Sequence, residues 1–150
     1  MSRIKNALRG HFIADYDKSS PDTAPTAFLE LAKWVTNVTD DTDESSDAYA
    51  DYAGDGTEST DVTGISEKWT FEGTYDASDA AQALIASKKR KLGDERKVWH
   101  KIVQTDGTEV VGVATVSEIK AGSGEASAYE EFHCVLNYDQ IPTETPKSGA

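Results

Sequence analysis

The stretch ISEKWTFEGTY, Ile65 to Tyr75, decides the fold class. Ile65, Trp69, Phe71, Gly73 and Tyr75 occupy alternate positions, and Ser66, Lys68, Thr70, Glu72 and Thr74 fill the places between them. A period of two sends successive side chains to opposite faces of a strand, so this segment offers one apolar face to a core and one polar face to water. Glu67 is the one misfit on the apolar side.

Outward from this strand, the downstream sequence supplies a helix and three more strands. Asp76 or Ser78 is placed to cap a helix over about 77–92, with Ala80, Ala81, Leu84 and Ile85 as its apolar stripe and Gly93 as its stop. Lys88, Lys89, Arg90 and Lys91 crowd its expected last turn, where the negative end of the helix dipole favours cations. Arg96 to Gln104 is rich in Val, Ile and Trp and reads as a strand. Asp106-Gly107 is a hairpin turn, which makes Val110 to Lys120 its antiparallel partner. After a turn at Ala121 to Gly124, Ala126 to Tyr138 returns as a strand. Phe132, Cys134, Leu136 and Tyr138 share one face of it, against Glu131, His133 and Asn137 on the other.

Upstream, residues 40–61 carry nine acidic side chains and no Lys or Arg, which a monomer has no means of burying. Tyr49 and Tyr52 precede Gly54-Asp55-Gly56, a turn with two residues free to take positive φ, so the acidic run is expected to protrude as a hairpin. Long loops in compact domains are often functional. Phe28 to Val38 mixes strand and helix spacing, and its β-branched end, Val35 to Thr39, favours a strand. Residues 1–27, with Arg3, Lys5, Arg9, Lys18, Pro21, Pro25 and weak apolar periodicity, read as an arm, and residues 143–150 as a loose tail.

The chain of 150 residues is expected to form one domain with a small core, since only 37% of it is hydrophobic and 28% is charged. Fifteen basic residues against 27 acidic ones leave a net charge of −12, which argues against a duplex-DNA ligand because phosphate affinity comes from Lys and Arg. No apolar run is long enough to span a membrane, and the basic N-terminus lacks the apolar stretch of a signal peptide, so synthesis in a cytoplasm is expected. Cys134 is the single cysteine and cannot staple the fold.

Each sharper chemistry has a plainer counterpart. Asp40, Asp41, Asp43, Glu44, Asp51 and Asp55 cluster hard oxygen ligands, but neither acidic stretch has the alternating order of an EF-hand loop, and a solvated or interface-forming loop is the simpler reading. His11, His100 and His133 have no helical ligand spacing and read as isolated structural or surface histidines. Cys134 and His133 diverge on opposite strand faces, which leaves Cys134 a small core hydrophobe. Trp34, Trp69 and Trp99 are candidates for a carbohydrate platform, with core packing the plainer role for Trp69. Glycine patterns of nucleotide-binding or serine-hydrolase sites do not occur, so no catalytic residue, cofactor or metal is assigned.

The order of elements and several local motifs resemble the major tail proteins of siphophages, the tail-tube family. The resemblance spans residues 28–142 and rests on Ala32-Lys33-Trp34-Val35 before an Asp-rich loop, Tyr52 to Gly56 at a hairpin, Trp69 to Asp76 entering the helix, Gly93 followed by Arg96-Lys97-Val98-Trp99, Gly112 and Ala114, and the closing Ile141-Pro142. It implies a mainly β tail-tube fold: a β-sandwich or barrel-like domain with one flanking α-helix and a long acidic loop. It further implies a homo-oligomer of hexameric rings stacked into a hollow tube in the virion tail, assembled in the host cytoplasm. A tape-measure protein and a tail terminator would be its partners, double-stranded DNA would pass transiently, and neither membrane nor catalysis would be involved.

In such a tube, Lys68, Thr70 and Glu72, with Ser127, Glu131 and His133 as a second row, are candidates for the luminal wall. Asp43, Glu44, Asp47, Tyr49, Asp51, Tyr52 and Asp55 are candidates for contacts between rings, against Lys88, Lys89, Arg90 and Lys91. The alternative from another class is a cation-dependent or carbohydrate-binding β-sandwich adhesion module. Within the class, the tube of a contractile tail or injection machine is the alternative.

Overall fold

The computed structural model describes residues 3–146. Its strands are β1 (Gly10–Asp15), β2 (Leu29–Glu30), β3 (Val35–Asp40), β4 (Asp43–Tyr49), β5 (Ser59–Ser66), β6 (Lys68–Thr74), β7 (Lys97–Val103), β8 (Glu109–Ala121), β9 (Glu131–Tyr138) and β10 (Thr143–Thr145), with one α-helix, α1 (Ala80–Ser87), between β6 and β7. Eight strands form one antiparallel sheet in the order β2-β1-β7-β8-β9-β6-β3, with β10 alongside β8, while β4 and β5 pair only with each other.

The large sheet curls. Three strands separate β1 from β6 in the sheet order, yet the His11 ring lies 5.0 Å from Phe71 and 5.4 Å from Trp69. Irregularities in the ladder between Val35 and Asn37 and between Ser117 and Lys120 add local twist, the second with Glu118 at φ 50°. The result is a half-barrel whose inner face holds Ile13, Phe71, Val98, Val116, Phe132, Cys134 and Leu136, closed by Leu31 and by Ala81 and Ile85 of α1. Strands β2 and β3 are left as its edges.

Several expectations change. The Ile65 to Tyr75 strand is two strands broken at the misfit, Glu67. The Glu67 carbonyl accepts from the Tyr138 amide at 2.9 Å and its carboxylate folds back to accept from Trp69 Nε1 at 2.7 Å. Ile65 therefore belongs to the hairpin strand β5 and is exposed, while Phe71 is wholly buried. Gly73 serves a close approach: a Cβ there would stand 2.1 Å from the Trp34 carbonyl oxygen, which accepts from the Thr74 amide at 2.8 Å while Trp34 itself takes φ 66°.

Residues 1–27 are not simply an arm. Within them β1 is an interior strand that pairs with both β2 and β7 and buries Ile13, because His11, Ile13 and the inward-lying ring contacts supply a core face that the flanking charges and prolines hide in the sequence. The helix is shorter than 77–92. Asp76 is used by Ser78 and by Trp34 Nε1, so Asp79 becomes the N-cap and accepts from the Gln82 amide at 3.2 Å. At the other end the chain leaves the helix at Lys88, and the Arg96 guanidinium collects the carbonyls of Lys89, Lys91 and Val116. Strand β9 begins at Glu131, not Ala126. Of the expected loose tail, Thr143–Thr145 pairs with β8, and residues 147–150 lie outside the described residues.

Candidate functional site

The outer face of the half-barrel is a polar wall. Residues directly opposite each other in a ladder share a face, and the β6–β9 register sets Lys68 against Asn137, Thr70 against Val135, Glu72 against His133 and Thr74 against Glu131. Strand β3 adds Asn37 and Thr39, opposite Glu72 and Thr70, and β8 adds Thr115, Ser117 and Lys120, opposite Asn137, Val135 and His133. Five of the six wall candidates thus come together: Lys68, Thr70, Glu72, Glu131 and His133. Ser127 does not, since it sits in the turn before β9. Asn37, Thr39 and Lys120 carry no signal of this in the sequence, because only the register places them there. The wall is not acidic on balance, for Glu72 and Glu131 stand among Lys68 and Lys120. His133 is fixed in it, its Nδ1 hydrogen-bonded to the Glu118 carbonyl at 2.8 Å, which makes Nδ1–H the donor.

The acidic segment is a hairpin, with ladder pairs running from Asp43 opposite Ser66 to Tyr49 opposite Ser59. Its two faces differ in chemistry. Asp47 lies directly opposite Asp61, and with Asp43, Ser45 and Ser59 they form an acidic side; Ala48, Val62 and Ile65, with Ser46, Thr60 and Glu44, form the other. Every β4 residue is exposed, and Tyr49, Tyr52, Val62 and Ile65 are large side chains open to solvent. In the tip, Asp51 accepts from the amides of Ala53 and Gly54 and Asp55 accepts from the Thr57 amide, so these acids shape the turn. The Thr57 hydrogen bonds hold the Asp55 carboxyl below the ordinary range. Among the described residues no three His, Cys, Asp or Glu side chains are grouped to hold a metal ion.

Wall and hairpin meet at the hairpin base. Lys68 Nζ lies 3.5 Å from Asp43 Oδ2, Thr70 Oγ1 donates to Asp41 Oδ2, and the Asp41 amide donates to the Lys68 carbonyl at 2.8 Å. Asp43 is therefore engaged within its own chain as well as exposed at the hairpin.

The four basic candidates divide. Lys89, Arg90 and Lys91 are exposed beyond α1, but Lys88 is buried, its ammonium 2.7 Å from Asp15 Oδ1 and 3.0 Å from the Glu95 carbonyl. Lys88 is engaged within its own chain, because β1, unread in the sequence, brings its partner. Of the tryptophans, Trp99 is buried and Trp69 is half-buried against the core, while Trp34 is half-exposed. The Trp34 indole N–H is committed to Asp76 at 2.9 Å, and the Lys33 ammonium lies 5.6 Å from its ring centre. The histidines also depart from expectation: His11 and His100 are buried partners, 3.2 Å apart.

No protein-family model matches the chain, and no curated protein matches it in sequence. Solved structures do. A chain in the tail of an empty gene transfer agent particle, determined with helical refinement in C6 symmetry, superposes with a TM-score of 0.66 at 10% identity over 95% of this chain and 99% of its own. The fold is the tail-tube fold. A chain of the native gene transfer agent virion gives a TM-score of 0.64 at 11% identity, covering 95% of this chain and 99% of its own. One from the tube-terminating cap of the anti-feeding prophage gives 0.56 at 12%, covering 97% and 93%. A tail-tube fold accounts for the curled sheet and the single helix as parts of one architecture. It carries no assignment of cargo, and no helix among the described residues is long and apolar enough to cross a membrane.

Proposed function

We propose that this chain is a structural subunit of a phage tail tube, which polymerises with its own copies and performs no catalysis. The observation that carries the reading is end-to-end similarity to a chain in a C6 helical tail, joined to a hairpin that its own domain leaves unburied. In this reading the subunits form hexameric rings that stack into a virion tail tube, bounded by a tape-measure protein and a tail terminator, through which double-stranded DNA passes. A siphophage tail is the proposed setting; the cap of the anti-feeding prophage among the similar structures keeps the tube of an injection machine as the second reading.

Lys68, Thr70, Glu72, Glu131 and His133 then belong to the luminal wall. Its mixture of Lys and Glu offers DNA no continuous cationic track, and the net charge of −12 repels phosphates through the field of the whole assembly. Asp47, Tyr49, Asp51, Tyr52 and Asp55 of the hairpin belong to contacts between rings, with Lys89, Arg90 and Lys91 as complementary charges. Open edges at β2 and β3 would be covered by neighbouring copies, which removes an aggregation hazard.

The test is polymerisation of the purified protein followed by negative-stain microscopy, with rings and tubes expected. Because Asp43 and Ser66 are opposite one another, residues 44–65 can be replaced by an Asn-Gly turn without stretching the chain. That variant should melt like the parent and form no tubes. Dispersed monomers from the parent in every condition, or normal tubes from the variant, would refute the corresponding half of the assignment.

A further inference from the structure

The half-barrel interior contains a hydrogen-bonded chain of titratable side chains that the tube reading does not use. His11 Nδ1 and His100 Nε2 are 3.2 Å apart with the rings nearly parallel, and His100 Nδ1 lies 2.6 Å from the Tyr138 hydroxyl oxygen. His100 is wholly buried and His11 nearly so. The chain spans three strands that are not consecutive in sequence. His11 is on β1, His100 on the adjoining β7, and Tyr138 reaches across β8 from β9 because Gly112 lies beneath its ring; a Cβ on Gly112 would come within 3.0 Å of that ring. Across the interior, the edge of Phe71 and the tilted Trp69 ring of β6 pack on His11.

Proton counting makes this arrangement sensitive to acid. A neutral imidazole carries one N–H, so the junction between the two rings holds one proton and the junction to Tyr138 another. With both rings protonated, two N–H groups would face each other across 3.2 Å. With one protonated, a charge sits among apolar and aromatic groups whose low polarity disfavours it. The charged groups around the chain do not compensate: Glu30 of β2 lines the same groove as His11, yet burial and Arg9 set the direction of the His11 shift. Arg9, just before β1, repels a cation on His11; Glu67, between β5 and β6, faces Tyr138 and is already hydrogen-bonded to Trp69; the inward neighbours from β3 and β8 are Val38, Val110 and Gly112. Burial and Arg9 lower His11 from its ordinary 6.5 to about 4, and burial lowers His100 well below its ordinary value.

We propose that the His11–His100–Tyr138 chain is an acid-opened latch, which holds β1 to β7 and against β6 at neutral pH and releases β1 when the histidine pair takes up protons. The sign follows from the lowered basicity. The open state binds protons from about pH 6.5 downward and the closed state resists them until about pH 4, so closure is complete above 6.5 and weakens as pH falls through that window. For His11 alone, the open population at pH 5 should exceed that at pH 8 by roughly thirtyfold.

The latch is a property of the single subunit and does not rest on tube assembly. Native-state hydrogen exchange on the full chain at pH 8 and pH 5, with intrinsic rates divided out, should show protection of the Phe12, Ile13 and Ala14 amides falling at least tenfold at the lower pH. In the double variant His11→Gln, His100→Gln, whose amides bond but do not titrate in this range, that loss should disappear. Equal protection at both pH values in the parent, or the same loss in the double variant, overturns the proposal. Should the variant not fold, imidazole carbon-bound proton shifts in the parent decide: two buried rings still neutral at pH 5.5 in the closed state support the latch, and titration of either near 6.5 with β1 protection intact sinks it.

Discussion

The curled sheet and the β4–β5 hairpin are built from the same antiparallel ladder, yet their stability has different origins. In β9 alternate residues Phe132, Cys134, Leu136 and Tyr138 are buried, each removing apolar surface from water at about 25 cal/mol per Å². In β4 none is buried, and the Asp47 and Asp61 carboxylates face each other across the ladder, an arrangement that repels. A two-stranded hairpin is marginal in water on its own. Strand pairing alone therefore says little about what a segment is for; the fate of its two faces says more. One region is complete within the chain, and the other presents both of its faces to solvent.

The sharpest way to break the complete region is to crowd its backbone. Gly73→Ala sets a Cβ against the Trp34 carbonyl, and neither partner is a flexible side-chain end that can swing away. The edge strand β3 must shift, and urea denaturation should show a loss of about 3 kcal/mol. A loss below about 0.5 kcal/mol would mean that Trp34 and the β3 edge are free to move, and the contrast with the hairpin would be weaker than drawn.

A smaller and asymmetric effect is expected where the complete region tolerates a buried charge. Lys88 is buried while the Asp15 side chain is 66% exposed, so the two halves of the pair are not equivalent. Asp15→Ala strands an ammonium with only the Glu95 carbonyl, at a cost of about 2–3 kcal/mol. Lys88→Met keeps the packing and returns Asp15 to water, at a cost of about 1 kcal/mol or less. Chemical denaturation of both variants at one pH checks the order; equal losses would place the cost in packing instead of in the unpaired charge.

Legibility in the sequence follows the same division. Strands β6 to β9 show in the alternation of Trp69 and Phe71, in Asp106-Gly107, and in Phe132 to Tyr138, because each buries one face and the period of two survives in one dimension. The hairpin shows through its acids and its Gly54-Asp55-Gly56 tip. Strand β1 does not, since its core face includes His11, whose burial depends on His100 some 89 residues away. Gln82, Lys88 and Arg96 are hidden for the same reason: polar residues become interior or structural only when distant carbonyls or carboxylates meet them. For the candidate site, the Lys68, Thr70, Glu72 row and the Glu131, His133 row were readable strand by strand. That they share one face with Asn37, Thr39 and Lys120 is information carried by register alone, and Ser127 was lost because the strand starts later than its composition suggests.

The smallest expected effect on the isolated chain carries the most weight for the proposed assembly. Val62 lies on the less acidic side of the hairpin with Ala48 and Ile65 and is more than half exposed. Val62→Asp removes no buried contact, so the melting of the isolated subunit should stay within about 0.5 kcal/mol of the parent. If that side packs on a second copy, the same change buries an unpaired carboxylate at the interface, which costs several kcal/mol per site and repeats at every subunit of a ring. Sedimentation of tubes should then fall to background while the melt is unchanged. Tubes that still form with Val62→Asp but fail when Asp47 and Asp61 are both changed to Lys would move the docking face to the acidic side. The hairpin would keep its assembly role, with complementary charge in place of apolar packing as its means.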